Sequence, residues 1–198
     1  MATVVVPFRS TDPKRRLAAV LDADRVRLAQ AMLADVLAAA APLGDVLVVA
    51  HEAPQLPDGM RHVPDPHHGQ GAAVRAALDA AVAWGLAGPY LVVNADLPCA
   101  TTRDLLALSG AVPEDGLAYV AAADGTTNAL ALSEARLFEP LYGPGSAARF
   151  AALGPSTVLE APNLVDDVDT PGDLARLGDR LGEHTRCVLA TLRLETAA

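Results

Sequence analysis

Lysine occurs once in this 198-residue chain, at position 14, and aromatics are scarce: three Phe, three Tyr and one Trp. The core must therefore be aliphatic, with the many alanines letting elements approach closely. Positive charge is in deficit, since 15 Lys and Arg face 24 Asp and Glu for a net −9. That balance argues against nucleic acid and against anionic membranes, both of which need a basic face. No uninterrupted apolar run approaches the roughly 18 residues of a membrane span. The N-terminus lacks the basic, apolar, small-residue order of a secretion signal. Only two cysteines are present, Cys99 and Cys187, too few for a disulfide framework or a metal-binding spacing. There is no Gly-x-Ser-x-Gly nucleophile turn and no Gly-x-x-x-x-Gly-Lys-Ser/Thr phosphate loop. The expectation is a soluble, acidic, cytoplasmic α/β protein with small-molecule partners.

What is present alternates. Thr3–Val6, β-branched and apolar, reads as a strand buried on both faces, and Val46–Val49 and Tyr90–Val93 read as two more. Arg61–Pro64 is a weaker strand. Apolar residues at helical spacing predict a helix over about Asp24–Ala40, capped by Asp22 or Asp24. A second helix is predicted over Ala72–Ala83, and a third after Thr101 or Thr102 with Asp104 closing a capping box. The first 110 residues thus read β-α-β-(β)-α-β-α, a mostly parallel central sheet flanked by helices. Further on, Leu117–Ala122, Ala129–Leu132 and Thr157–Glu160 read as strands, and Tyr142–Ser146 opens a short helix. Thr170, Pro171 and Asp173 mark another helix start, and the tail after His184 reads as one last strand.

Ligands of an open parallel sheet bind beyond the carboxyl ends of its strands. Arg9, Lys14, Arg15 and Arg16 follow the first strand there, Asp96 follows Tyr90–Val93, and Asp167 and Asp169 precede a helix. Cations hold polyphosphates, and separated carboxylates hold the magnesium that neutralises them. Plainer readings stand beside these: a solvated basic loop, a turn-forming Asp96, and solvated aspartates at 166, 167 and 169. In an Asp-x-Asp strand residues two apart point to the same face, so Asp167 and Asp169 converge while Asp166 points away. His67-His68 lacks a third metal ligand, and Cys99 has no visible base. Gly69-Gln70-Gly71 is either a turn before a helix or a close backbone approach to a nucleotide base.

Five short motifs then line up. Val6-Pro7-Phe8-Arg9 with Lys14-Arg15-Arg16-Leu17-Ala18 resembles VPxK…KSRLA. Asn94–Pro98 resembles the DLP motif, and Asp124–Leu130 resembles DGTNAL. Tyr142–Ser146 resembles FGPGS, and Asp167–Leu174 resembles DIDTPEDL. In this order they are similar to the phosphoenolpyruvate or 2-phospho-L-lactate guanylyltransferases that build the deazaflavin coenzyme F(420). The resemblance implies a single nucleotidyltransferase-like domain over 1–198, of the nucleotide-diphospho-sugar transferase type. Residues 1–110 form its nucleotide-binding half and 111–198 its acceptor-binding half. It implies magnesium on Asp96, Asp167 and Asp169, with the acceptor on Thr127, Gly143 and Ser146. Arg9, Lys14 and Arg16 are assigned to the nucleotide phosphates, and Gly71 to the nucleotide.

The implied reaction joins GTP to phosphoenolpyruvate, with Asp96, Arg9, Lys14 and Arg16 catalytic and a homodimer possible. Alternative acceptors are 2-phospho-L-lactate, 3-phosphoglycerate or a molybdopterin. A non-catalytic nucleotide-binding subunit is the alternative of another class. The chain departs from the family at several positions. Arg9 stands for a lysine, Arg15 for a small residue, Thr126-Thr127 for one threonine, and Gln70-Gly71 where relatives carry Leu-Asn.

Overall fold

The computed structural model describes residues 1–9 and 24–196, so Lys14, Arg15 and Arg16 and the candidate cap Asp22 lie outside the described residues. Four short strands form the parallel part of the sheet: β1 (Ala2–Pro7), β2 (Gly44–Ala50), β3 (Arg61–Pro64) and β4 (Tyr90–Val93), all but β3 built on an apolar run. Their side chains divide by parity, as the two-residue period of a strand demands. Val4, Val6, Val46, Val48, Leu91 and Val93 enter one core. Val5, Leu47, Val49, Val63 and Val92 enter the core on the opposite face. Three strands complete the sheet: β5 (Leu117–Ala121), β6 (Thr127–Leu132) and β7 (Ser156–Val158). The order is β3-β2-β1-β4-β6-β5-β7, with β6 antiparallel to both its neighbours and β7 parallel to β5.

Helix α1 (Arg25–Ala40) covers the first face through Leu28, Met32, Leu33, Val36 and Leu37. Asp24 occupies its cap position but makes no capping bond, because its carboxylate receives the Arg27 guanidinium at 3.0 Å. With the 3₁₀ turn that follows, the stretch Arg25–Leu43 is long and apolar enough to cross a membrane; 61% of it is buried inside this molecule. Helix α2 (Gln70–Ala83) covers the second face with Ala73, Val74, Ala77, Leu78 and Ala81. Alanine there brings helix and sheet close. Helix α3 (Thr102–Gly110) starts on the expected capping box, with Thr101 and Asp104 bonding each other's backbone N–H.

The second half adds α4 (Ser146–Ala151), α5 (Pro162–Val165), α6 (Pro171–Leu177) and α7 (Glu183–Thr196). The last of these corrects the expectation of a terminal strand. Its start has no local side-chain cap signal. Asp35 of α1, buried, accepts the backbone N–H of His184 at 2.9 Å and of Thr185 at 3.0 Å. A cap supplied from 150 positions away leaves no short-range trace in the sequence. Residues 166–169 also differ from a strand. They are irregular, and Val168 donates to the Asp96 carbonyl at 3.0 Å instead of joining a ladder. One α/β domain results, its sheet running through both halves of the chain.

Candidate active site

The site forms where β1, β2, β3 and β4 end. β6 runs the other way, so its first residue, Thr127, arrives at that same edge. A bulge opposite Val120 and Ala121 leaves Asn128 as an extra residue, and bulges re-aim side chains. The backbone there is tied tightly. Asn94 N–H donates to Asn128 O at 3.1 Å, and the Asn128 side-chain amide donates to Val165 O at 2.9 Å. The start of β6 is thereby joined to the β4 end and to the segment that carries the remaining aspartates.

Three carboxylates converge. Asp96, three residues beyond β4, meets Asp167 and Asp169, with one oxygen of each within 4.8 Å of the others and all three residues half-buried. Among the described residues no other group of three or more His, Cys, Asp or Glu comes together in this way. Asp166 takes no part, as alternation along an extended segment requires. It receives Arg176 Nη1 at 2.6 Å and Arg180 Nη1 at 3.1 Å instead. Two guanidiniums thus hold the loop from outside while its next residues face inward. The start of α6 fixes the other end of that loop. Thr170 and Asp173 form the expected reciprocal cap, and Asp169 N–H also donates to the Asp173 carboxylate at 3.2 Å. Partial burial pushes the Asp173 carboxyl up. Hydrogen bonds from the Thr170 hydroxyl, Arg176 and the Thr170 and Asp169 amides outweigh it and bring the group down to about 2.

The implied acceptor residues also gather. Ser146 donates to Thr127 Oγ1 at 3.1 Å, and both side chains are buried. Thr126 is occupied elsewhere, its hydroxyl on Asp124 at 2.6 Å, which leaves Thr127 as the one of the pair that faces Ser146. Gly143 lines a cavity of about 610 Å³ together with His68, Gly69, Gln70, Gly71, Arg75 and Tyr142. Gly71 has a packing reason of its own: a Cβ there would lie 2.6 Å from Pro140 Cβ. Arg9 is exposed just past β1. Burial pushes the Cys99 thiol up, as expected of a packing residue and not of a nucleophile.

The residues of this chain from 19 to 152 match the MobA-like NTP transferase domain. A phosphoenolpyruvate guanylyltransferase of Sphaerobacter thermophilus is 36% identical over 193 residues, covering 89% of this chain and 93% of that protein. A 2-phospho-L-lactate guanylyltransferase of Halomicrobium mukohataei is 40% identical over 184 residues, covering 88% and 84%. The chain belongs to this guanylyltransferase family. It is a nucleotidyltransferase. The crystal structure of a nucleotide-diphospho-sugar transferase homologue from Desulfovibrio desulfuricans superposes with a TM-score of 0.71 at 16% identity, over 96% of this chain and 95% of that one. That likeness is one of fold.

Several contacts of the candidate site escaped the sequence reading. Gln70 Nε2 donates to Asn94 Oδ1 at 2.8 Å, linking the start of α2 to the end of β4. Arg176 and Arg180 clamp Asp166, and their one-turn spacing was the available signal. Arg149, three residues after Ser146, bonds the loop before it. Side chains whose partners are backbone carbonyls carry no pairing signal in a sequence.

Proposed function

We propose that the enzyme transfers GMP from GTP to the phosphate of phosphoenolpyruvate, giving enolpyruvyl-diphospho-5'-guanosine and pyrophosphate for coenzyme F(420) biosynthesis. One observation carries the reading: the carboxylates of Asp96, Asp167 and Asp169 converge at the sheet edge where the Thr127–Ser146 pair also arrives. The acceptor phosphate has a second pKa of about 6, so near neutral pH it is already a nucleophile and needs no base. An acceptor oxygen forms a bond to the α-phosphorus. The bond from that phosphorus to the α–β bridging oxygen breaks, and its electron pair leaves on pyrophosphate. No proton has to move. The buried, elevated Cys99 thiol accords with a reaction that uses no protein nucleophile.

The barrier is the approach of one anion to another. Asp96, Asp167 and Asp169 are the residues that would hold Mg2+, and they fit it. All three offer hard oxygen donors within 4.8 Å of one another, against about 3–4 Å between oxygens on an octahedral magnesium ion. Bound there, the ion supplies charge neutralisation and Lewis-acid polarisation of phosphoryl oxygens. Arg9, with Lys14 and Arg16 by their place in the same motif, is assigned to the charge that grows on the leaving pyrophosphate. Thr127 Oγ1 accepts a hydrogen bond from the Ser146 hydroxyl and so keeps its own O–H free to donate to the acceptor. Gly143 and Gly71 border the cavity assigned to the substrates.

Phosphoenolpyruvate is chosen as acceptor because relatives named for it align over up to 96% of this chain, as in Roseiflexus. The relative from Halomicrobium, 40% identical, favours 2-phospho-L-lactate as the second reading. Pyrophosphate release from GTP and Mg2+ with each acceptor, and the product mass, decide between them. Phosphoenolpyruvate is expected to turn over at least tenfold better. Preference for 2-phospho-L-lactate replaces the acceptor, and no release with any phosphorylated acid overturns the reading.

A further inference from the structure

Arg149 is exposed on α4 and lies outside both cores. Its guanidinium turns back along the loop that precedes its own helix. Nη1 donates to Pro144 O at 2.6 Å. Nη2 donates to Leu141 O at 2.8 Å, with Tyr142 O at 3.3 Å and Gly143 O at 3.4 Å. The acceptors are four consecutive main-chain carbonyls, in the segment that runs from the cavity wall to Ser146. Among the described residues no carboxylate pairs with Arg149. The charge is spent on carbonyl dipoles alone.

The loop is shaped for that contact. Gly143 and Gly145 have φ of 108° and 71°, the left-handed region that suits glycine. A Cβ at Gly145 would stand 3.6 Å from Nη1, and one at Gly143 would stand 4.0 Å from Nη2. The segment from 139 to 145 has no helix or strand of its own to hold it. A planar fork with five donors can serve several carbonyls at once, whereas an ammonium is a point charge with three donors.

We propose that Arg149 is the positioning residue of the acceptor site: its guanidinium fixes the main chain from Leu141 to Pro144, so that Gly143 and Ser146 present a set geometry to the phosphorylated acid. It acts through the loop and sets acceptor affinity without contacting the nucleotide. This inference rests on the acceptor assignment above.

Two variants test it. Arg149→Lys keeps the charge and loses the fork; Arg149→Met keeps the length and loses both. In both, the KM for phosphoenolpyruvate is expected to rise tenfold or more, about the worth of one charge-assisted hydrogen bond. The KM for GTP is expected to stay within about twofold, since the fork touches only the 141–144 carbonyls. A second readout needs no turnover: amide hydrogen exchange across residues 141–146 is expected to quicken at least tenfold in both, with sheet amides unchanged. A lysine variant that matches the wild type in acceptor KM or in loop exchange makes charge sufficient and overturns the proposal. Unchanged loop exchange in Arg149→Met overturns it too, as does an equal rise in both KM values. A wild type that uses no phosphorylated acid breaks the functional reading alone, and loop exchange then still decides whether Arg149 holds the segment.

Discussion

The two halves of the chain hold their candidate site residues by different means. In the first, Asp96 sits three residues beyond a fully buried four-residue strand whose neighbours on both sides are laddered. The sheet itself fixes that position. In the second, Gly143, Asp167 and Asp169 lie on segments with no ladder. They are fixed by guanidiniums: Arg149 on the 141–144 carbonyls, and Arg176 with Arg180 on Asp166. One half derives its precision from apolar burial, the other from charge-assisted hydrogen bonds. The difference teaches where each is vulnerable. Sheet-held residues matter for what they are, and loop-held residues matter also for what grips their neighbours.

The sharpest break is expected at Asp96. Asp96→Asn keeps the side chain's volume and removes a charge outside the ladder, so turnover is expected to fall about 100-fold or more while the thermal midpoint stays within a few degrees. Steady-state rates with a melting curve check it, and near-normal turnover would refute the role given to this carboxylate. Next comes Asp166→Asn, which leaves Asp167 and Asp169 in place and loosens their loop. Supporting residues of a metal site are worth roughly 10- to 100-fold, so about a tenfold loss in kcat/KM is expected. If Arg176→Met together with Arg180→Met leaves the rate unchanged, the guanidinium half of the comparison fails.

Gly71→Ala probes packing at the seam between halves. The added methyl meets Pro140, and overpacking of this kind costs about 1–3 kcal/mol, readable as a lowered denaturant midpoint. The smallest effect concerns pH. The Asp173 carboxyl lies near 2 when folded against about 3.9 unfolded, so its cap contributes stability above about pH 4 and loses it as pH falls toward 2. Acid unfolding of Asp173→Asn is expected to differ from the wild type above about pH 4 and to converge with it as pH falls toward 2.

Legibility followed the same division. The apolar runs at their centres announced β1, β2 and β4, because burial on both faces selects against polar residues there. Both capping boxes were readable because their partners are three residues apart. The pairing of Asp167 with Asp169 was reached from strand alternation, yet the segment is no strand. The two carboxylates converge all the same, and the backbone partner of Val168 between them is the Asp96 carbonyl. The terminal helix was missed because its cap is Asp35, and the loop clamps were missed because carbonyls have no sequence signature.

The most direct test of the three-carboxylate centre is the magnesium dependence of pyrophosphate release from GTP and phosphoenolpyruvate, compared between wild type and Asp167→Asn. If Asp96, Asp167 and Asp169 share one cation, the half-saturating magnesium concentration rises tenfold or more in the variant. An unchanged half-saturation would contradict the account.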